Sequence, residues 1–209
     1  MSLTAGLSII VPVYNSEHSL EPLTERIAQV LPGLAGNDFE LLLINDGSRD
    51  NSWQVIQRLS KAYAWVRGIN LMRNYGQHNA LLCGIRGARY STVVTIDDDL
   101  QHPPEEIHKL LEELDNGYDV VYGTPLSKQH GLWRNLASYI LRLALQSTMG
   151  VENARKVSAF RAMHTQLRDA FANYQSPHVT LDALLTWGTT RFGAVPTRHG
   201  DLPSHPGAL

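Results

Sequence analysis

The sequence contains one cysteine, Cys83, in 209 residues. That excludes an intramolecular disulfide framework, fits a reducing cytoplasm, and leaves Cys83 the role of a small buried hydrophobe in a helix. No charge of one sign dominates: 18 basic and 20 acidic residues leave a formal charge of −2, so no global electrostatic footprint points to nucleic acid. No apolar run approaches the roughly 18 residues of a membrane span, and no basic start leads into a long apolar region. Neither a transmembrane helix nor a signal peptide is expected, and the chain is expected to be soluble. Gly76, Gly84 and Gly87 form no dinucleotide fingerprint, and no phosphate loop with Gly-Lys-Ser occurs, which argues against hydride transfer and ATP hydrolysis. His78, His102, His130, His164 and His178 lack the paired helical spacing of a zinc site.

What is present is a repeated pattern. The apolar run 7–13 ends in Tyr14-Asn15-Ser16, and Leu20, Leu23, Ile27, Val30, Leu31 and Leu34 then recur at helical spacing. Runs 39–44, 66–72, 92–96 and 118–122 repeat the strand pattern, with helices expected around 53–63, 77–89 and 104–114. This alternation predicts an α/β fold: a Rossmann-like, mostly parallel sheet flanked by helices, with a ligand crevice at the carboxyl ends of the strands. With 43% apolar residues the chain can build one substantial core. After Gly123 the alternation stops, giving a long helical stretch at 132–149, a strand-like piece at 157–163, helical patterns near 167–171 and 181–187, and a last strand near 191–195.

The richest chemistry follows Val93-Val94-Thr95-Ile96, where Asp97, Asp98 and Asp99 occupy the end of a buried strand. If the strand continued, Asp97, Asp99 and Gln101 would share one side and Asp98 the other. Ionised carboxylates about 4 Å apart repel by roughly 4 kcal/mol at an effective dielectric near 20, which a hard cation such as Mg²⁺ or Mn²⁺ would reverse. The acids also precede Pro103-Pro104-Glu105-Glu106, an ordinary helix start. That helix accounts for the two glutamates but not for three acids at a strand end, so cation binding is the stronger reading. Asp46 follows another buried strand, placed to accept hydrogen bonds from a base or ribose, although Asn-Asp-Gly-Ser is also plain turn material. Arg134, Ser138 and Arg142 share one helical face that could hold a phosphate or simply be a solvated basic edge.

Together, Ser8-Ile-Ile-Val-Pro-Val-Tyr-Asn15, Ile44-Asn-Asp-Gly-Ser48, Arg73-Asn-Tyr-Gly76 and Ile96-Asp-Asp-Asp-Leu-Gln-His-Pro-Pro-Glu105 resemble, in order and spacing, family-2 glycosyltransferases of the GT-A fold. The nearest branch is the polyprenyl-phosphate glycosyltransferases, dolichol-phosphate mannose synthase among them. The resemblance is strong over about 7–124 and weaker to about 196. It implies that Pro12, Tyr14, Glu17 and Asp46 hold the nucleotide, with Arg73 at the same crevice. It also implies that Asp97 and Asp99 form the Asp-x-Asp metal motif, with Gln101 as a further ligand. Arg134 and Ser138 match an Arg-x-x-x-Ser that contacts the lipid phosphate. Ser158-Ala159-Phe160-Arg161 resembles a Ser-Gly-Phe-Arg segment bordering the active site, with Ala159 in place of glycine and Arg155 where an acid is common.

The expectation is therefore a cytoplasmic enzyme, possible at the inner membrane face, that uses a UDP- or GDP-sugar and polyprenyl phosphate, with inversion. One domain, 1–198, would comprise a nucleotide-sugar half (7–124) and an acceptor half (125–198), followed by a flexible tail at 199–209. Transfer to a glycan or small-molecule hydroxyl, for which Asp182 is the candidate base, and nucleotide-sugar binding without transfer are the alternatives.

Overall fold

The computed structural model describes residues 6–125, 158–178 and 180–198. The expected 132–149 helix, with Arg134, Ser138 and Arg142, lies outside the described residues, as do Arg155 and the 199–209 tail.

The first half follows the predicted alternation: β1 (Leu7–Val13), α1 (Leu20–Ala35), β2 (Phe39–Asn45), α2 (Ser52–Ala62), β3 (Val66–Asn70), α3 (Gln77–Gly87) and β4 (Thr92–Thr95). A 3-10 turn (Pro104–Glu106) leads into α4 (Ile107–Asp115), and β5 (Val120–Pro125) closes this part. The later described elements are β6 (Arg161–His164), a 3-10 segment (Thr165–Phe171), α5 (Leu181–Gly188) and β7 (Phe192–Thr197). Among the described residues no helix is long and apolar enough to cross a membrane.

The sheet order is β3-β2-β1-β4-β6-β5-β7. β1 pairs in parallel with β2 and β4, β2 with β3, and β5 with β7, whereas β6 runs antiparallel between β4 and β5. Every residue of β1 is buried, which is why it reads as an unbroken apolar run rather than an alternating one. Its side chains still divide by parity. Leu7, Ile9, Val11 and Val13 pack with α1, α2 and α4, whereas Ile10 joins Leu42, Ile44 and α3 and α5 on the other face. α3 approaches β1 closely at Gly84, where an added Cβ would lie 2.4 Å from Ile10 Cγ2.

Several boundaries differ from the sequence expectation, among them β5, at 120–125 rather than 118–122, and β7, at 192–197 rather than 191–195. β3 stops at Asn70 rather than 72, because the chain turns outward into an exposed loop. β4 stops at Thr95, although the Ile96 amide still donates to the Ile10 carbonyl (3.1 Å). Of the described part of the expected 157–163 run, 158–163, only 161–163 lie in a strand, and that strand is the antiparallel one.

Candidate active site

The carboxyl ends of β1, β2 and β4 meet at a cleft of about 380 Å³, the switch-point position where open α/β sheets collect ligands. Its rim is tied together by the loops after β1 and β2. The Asn15 amide donates to Ser48 Oγ (3.0 Å), and Asn15 Oδ1 accepts the Arg49 amide (2.8 Å). The Ser16 amide donates to Ser52 Oγ (2.8 Å), and Glu17 Oε2 accepts the Asn51 amide (3.0 Å). Asn15 itself adopts φ 55°, a left-handed conformation that asparagine tolerates better than most residues.

Asp46 is only 3% exposed, and its two oxygens accept the Tyr75 amide (2.7 Å) and the Gly76 amide (2.8 Å). It therefore fastens the loop between β3 and α3 against the end of β2. Gly47 makes this possible: at φ 67° a side chain is disfavoured, and a Cβ there would sit 2.4 Å from the Asn74 nitrogen. The Arg73 guanidinium lies 4.7 Å from the Tyr75 ring centroid, a cation–π contact on the exposed part of this loop.

The acids after β4 form a turn rather than an extended strand, since Leu100 adopts φ 63°. Strand alternation therefore does not reach them, and Asp98 is not turned away: Asp97, Asp98 and Asp99 all line the cleft. Gln77 Nε2 donates to Asp97 Oδ1 (2.7 Å). The Ser16 hydroxyl donates to Asp98 Oδ2, and the Tyr14 amide approaches the same oxygen (3.4 Å). Asp99 Oδ1 accepts the Gln101 amide (3.0 Å). Burial, then the charges of Asp99 and Asp98, push the Asp97 carboxyl up to about 6, opposed by Arg161 and Gln77. Burial also raises Asp98, despite its hydrogen bond from Ser16.

Among the described residues no three His, Cys, Asp or Glu side chains are arranged as a ready-made metal cage. That still fits Mg²⁺ or Mn²⁺, which commonly take one or two carboxylates and complete their shell with water and substrate phosphate. The crowded, partly desolvated carboxylates are a donor set whose mutual repulsion a hard cation would relieve.

Of the residues singled out from sequence, Pro12, Tyr14, Asp46, Asp97 and Asp99 line the cleft. Glu17 and Arg73 are engaged at its periphery, and Gln101 stands beside it, its amide held by Asp99. Asn74, Gln77 and Asp98 also line the cleft and were not singled out as ligand contacts. Position could have flagged the first two, because Asn74 lies within the Arg-Asn-Tyr-Gly motif and Gln77 follows it at the start of α3.

A second polar cluster joins β5, β6 and the first turn of α5. Arg161 is 2% exposed, and its Nη1 donates to Asp182 Oδ1, which also accepts the Tyr122 hydroxyl (2.8 Å). Asp182 is thus engaged by two partners. Burial holds His78 below the usual histidine range, and its Nδ1 receives the Leu181 amide at 3.4 Å.

A mostly parallel sheet with one antiparallel strand, and an acidic turn after β4 facing a cleft at the switch point, defines the GT-A class of α/β folds. Solved structures bear out the class. The structure of S. aureus TarS 1-349 superposes with a TM-score of 0.65 at 16% identity, over 93% of this chain and 59% of that one. M. tuberculosis glucosyl-3-phosphoglycerate synthase, in complex with Mn²⁺, UDP and glucosyl-3-phosphoglycerate, gives 0.65 at 17% identity, over 96% and 74%.

The chain belongs to glycosyl transferase family 2, whose model matches residues 8–174. An undecaprenyl-phosphate 4-deoxy-4-formamido-L-arabinose transferase of Klebsiella pneumoniae (strain 342) is 33% identical over 196 residues, 93% of this chain and 60% of the relative. Its counterpart in Pseudomonas aeruginosa (strain LESB58) is 42% identical over 146 residues, 69% of this chain and 43% of the relative. The chain thus spans less than two thirds of the length of these curated relatives.

Proposed function

We propose that the chain transfers a sugar from a nucleoside diphosphate sugar to polyprenyl phosphate, with inversion, at the inner face of the cytoplasmic membrane. The observation that carries this reading is the carboxylate turn after β4 facing the cleft at the ends of β1 and β2. The named relatives act on undecaprenyl phosphate, and the UDP and Mn²⁺ complexes of structural neighbours support a UDP-sugar and a divalent cation.

Pro12, Tyr14 and Asn74 would flank the nucleotide, with Asp46 holding the loop that carries Asn74. Glu17 and Arg73 would support the rim. Asp97 and Asp99, with Gln101 nearby, would hold Mg²⁺ or Mn²⁺, which when bound supplies positive charge to the departing diphosphate. In the transfer an acceptor oxygen forms a bond to the anomeric carbon while the bond from that carbon to the diphosphate oxygen breaks. The bonding pair departs on the nucleoside diphosphate. An ionised phosphate acceptor needs no strong base. This agrees with Asp182, the candidate base for a hydroxyl acceptor, being occupied by Arg161 and Tyr122. Arg134 and Ser138 are proposed to contact that phosphate. The reading treats 1–198 as one domain, with donor chemistry in 7–124 and acceptor chemistry in 125–198.

Thermal unfolding against UDP, GDP and their sugars, each with and without Mn²⁺, tests the donor site. A ligand at about 100 times its dissociation constant adds roughly 2.7 kcal/mol to stability. A Mn²⁺-dependent rise with one nucleotide is expected, followed by transfer to polyprenyl phosphate. Folded protein that responds to none of them would overturn the reading.

A further inference from the structure

Arg161 is buried without a task in the chemistry above. In β6 it lies opposite Thr95 of β4, two residues before Asp97, and opposite Tyr122 of β5. Asp182 and Tyr122 brace it, with its guanidinium carbon 5.5 Å from the Tyr122 ring centroid. Among the described residues its Nε has no hydrogen-bond partner. A buried ion pair is commonly no more stabilising than apolar residues of similar volume, and a guanidinium kept only for cohesion would be expected to use its full fork.

The surroundings point toward the carboxylates. Asp182 stands in the first turn of α5, and Gln77, at the start of α3, donates to Asp97 (2.7 Å). His78 joins the two helix starts through the Leu181 amide (3.4 Å). Two helix N-termini with partial positive charge therefore meet near the end of β4, and Arg161 places the guanidinium half of its ion pair with Asp182 there.

We propose that Arg161, braced by Asp182 and Tyr122, is a positioning residue whose fixed charge limits how tightly the Asp97–Asp99 turn holds a divalent cation. The inference rests on the proposed function in assigning a cation to that turn. Three clustered carboxylates with no opposing charge would grip the ion, and with it the nucleoside diphosphate product. A cation set behind them weakens that grip by direct repulsion.

Mn²⁺ binding to the nucleotide-free protein, followed by the paramagnetic resonance signal of free Mn²⁺, tests this without relying on turnover. Arg161→Met alone would strand the Asp182 charge, so the informative variant is Arg161→Met with Asp182→Leu, which leaves no unpaired buried charge. This double variant is expected to fold and to bind Mn²⁺ about threefold or more tightly than the parent, within the range by which outer-shell partners tune metal sites. Arg161→Lys, which keeps the charge, is expected to stay within about twofold of the parent. A folded double variant with unchanged or weaker Mn²⁺ affinity would overturn the inference, as would a lysine variant that shifts as far as the double variant. If the parent binds Mn²⁺ and the double variant matches it, this inference alone fails. If the parent binds none, the cation assignment fails with it.

Discussion

Asp97 and Glu106 lie in one short segment and are treated in opposite ways. Glu106 is fully buried, but Lys109 Nζ (2.5 Å), Arg198 Nε (2.8 Å) and the Arg198 amide (3.2 Å) all donate to it. Burial pushes its carboxyl up, and these hydrogen bonds overcome that and hold it at about 2. Among the described residues Asp97 has one side-chain donor, Gln77, and two acidic neighbours, and burial with their charges pushes it up to about 6. A carboxylate that serves the fold is saturated with donors, whereas one left short of them has capacity for a ligand. Glu106 fastens α4 to the chain just after β7, and among the described residues Asp97 fastens nothing comparable.

The sharpest way to break this contrast is to neutralise Asp97. In Asp97→Asn the fold should survive, while sugar transfer from the matching nucleotide sugar should fall by about 10²- to 10³-fold, the scale of losing one preorganised electrostatic contact in a dry site. Turnover within twofold of the parent in a radiolabelled transfer assay would remove Asp97 from the chemistry.

The next effect is on stability, measured by urea unfolding with chelator present. Burial and the charges of Asp99 and Asp98 push the Asp97 carboxyl up from the ordinary 3.8 to about 6. As pH rises from 4 to 6 the unfolded chain releases this proton before the folded one does, so stability falls across that window and levels off above it. At roughly 1.4 kcal/mol per pKa unit the loss reaches up to about 3 kcal/mol at pH 7. Asp97→Asn should be more stable than the parent by up to that amount at pH 7, and the difference should vanish near pH 4. A parent whose stability does not change between pH 4 and 7 relative to the variant would show that Asp97 is not strained by its neighbours.

Much of this could be read in the sequence, and the parts that could not share a physical cause. Parallel strands buried on both faces leave continuous apolar runs, so β1 to β4 and the positions of Asp46 and Asp97 to Asp99 were visible locally. Where the chain depends on distant partners, local pattern failed. β6 inserts antiparallel between β4 and β5, and nothing in Phe160-Arg161-Ala162-Met163 announces that pairing. Asp46 lines the cleft, and the Tyr75 and Gly76 amides it also accepts could not be read from its own segment. Asp182 read as a polar residue near a helix start or a catalytic base. Its role became apparent only with Arg161 and Tyr122 beside it. Asp98 was misplaced because alternation was extended past the point where Leu100 turns the backbone.

Glu106→Gln tests the saturated side of the contrast. Lys109 and Arg198 are partly exposed and can turn to water, which moderates the loss, so a cost of about 2 kcal/mol is expected at pH 7. The sign with pH is opposite to that of Asp97. A depressed carboxylate contributes fully above its ordinary value of 4.5, and the contribution disappears as pH falls through about 2. Transfer per folded molecule should not change, because Glu106 is not among the residues lining the cleft.

The smallest expected effect comes from the neighbouring residue. Glu105 receives both Arg26 Nε (3.2 Å) and Arg26 Nη2 (2.7 Å), a two-pronged ion pair. The pair differs in exposure, at 34% for Arg26 and 43% for Glu105, so water already solvates both charges and salt screens their attraction. Arg26→Ala should therefore cost less than about 1 kcal/mol, with the difference from the parent shrinking further in 0.5 M salt, a concentration of about the order at which screening becomes short-ranged. Glu105 and Glu106 are adjacent in sequence and both ion-paired, so equal losses in the two variants would mean that counting donors, rather than burying the carboxylate, explains the stability of this segment. A clear gap between them would locate the difference in desolvation, which is also what separates Glu106 from the under-satisfied Asp97.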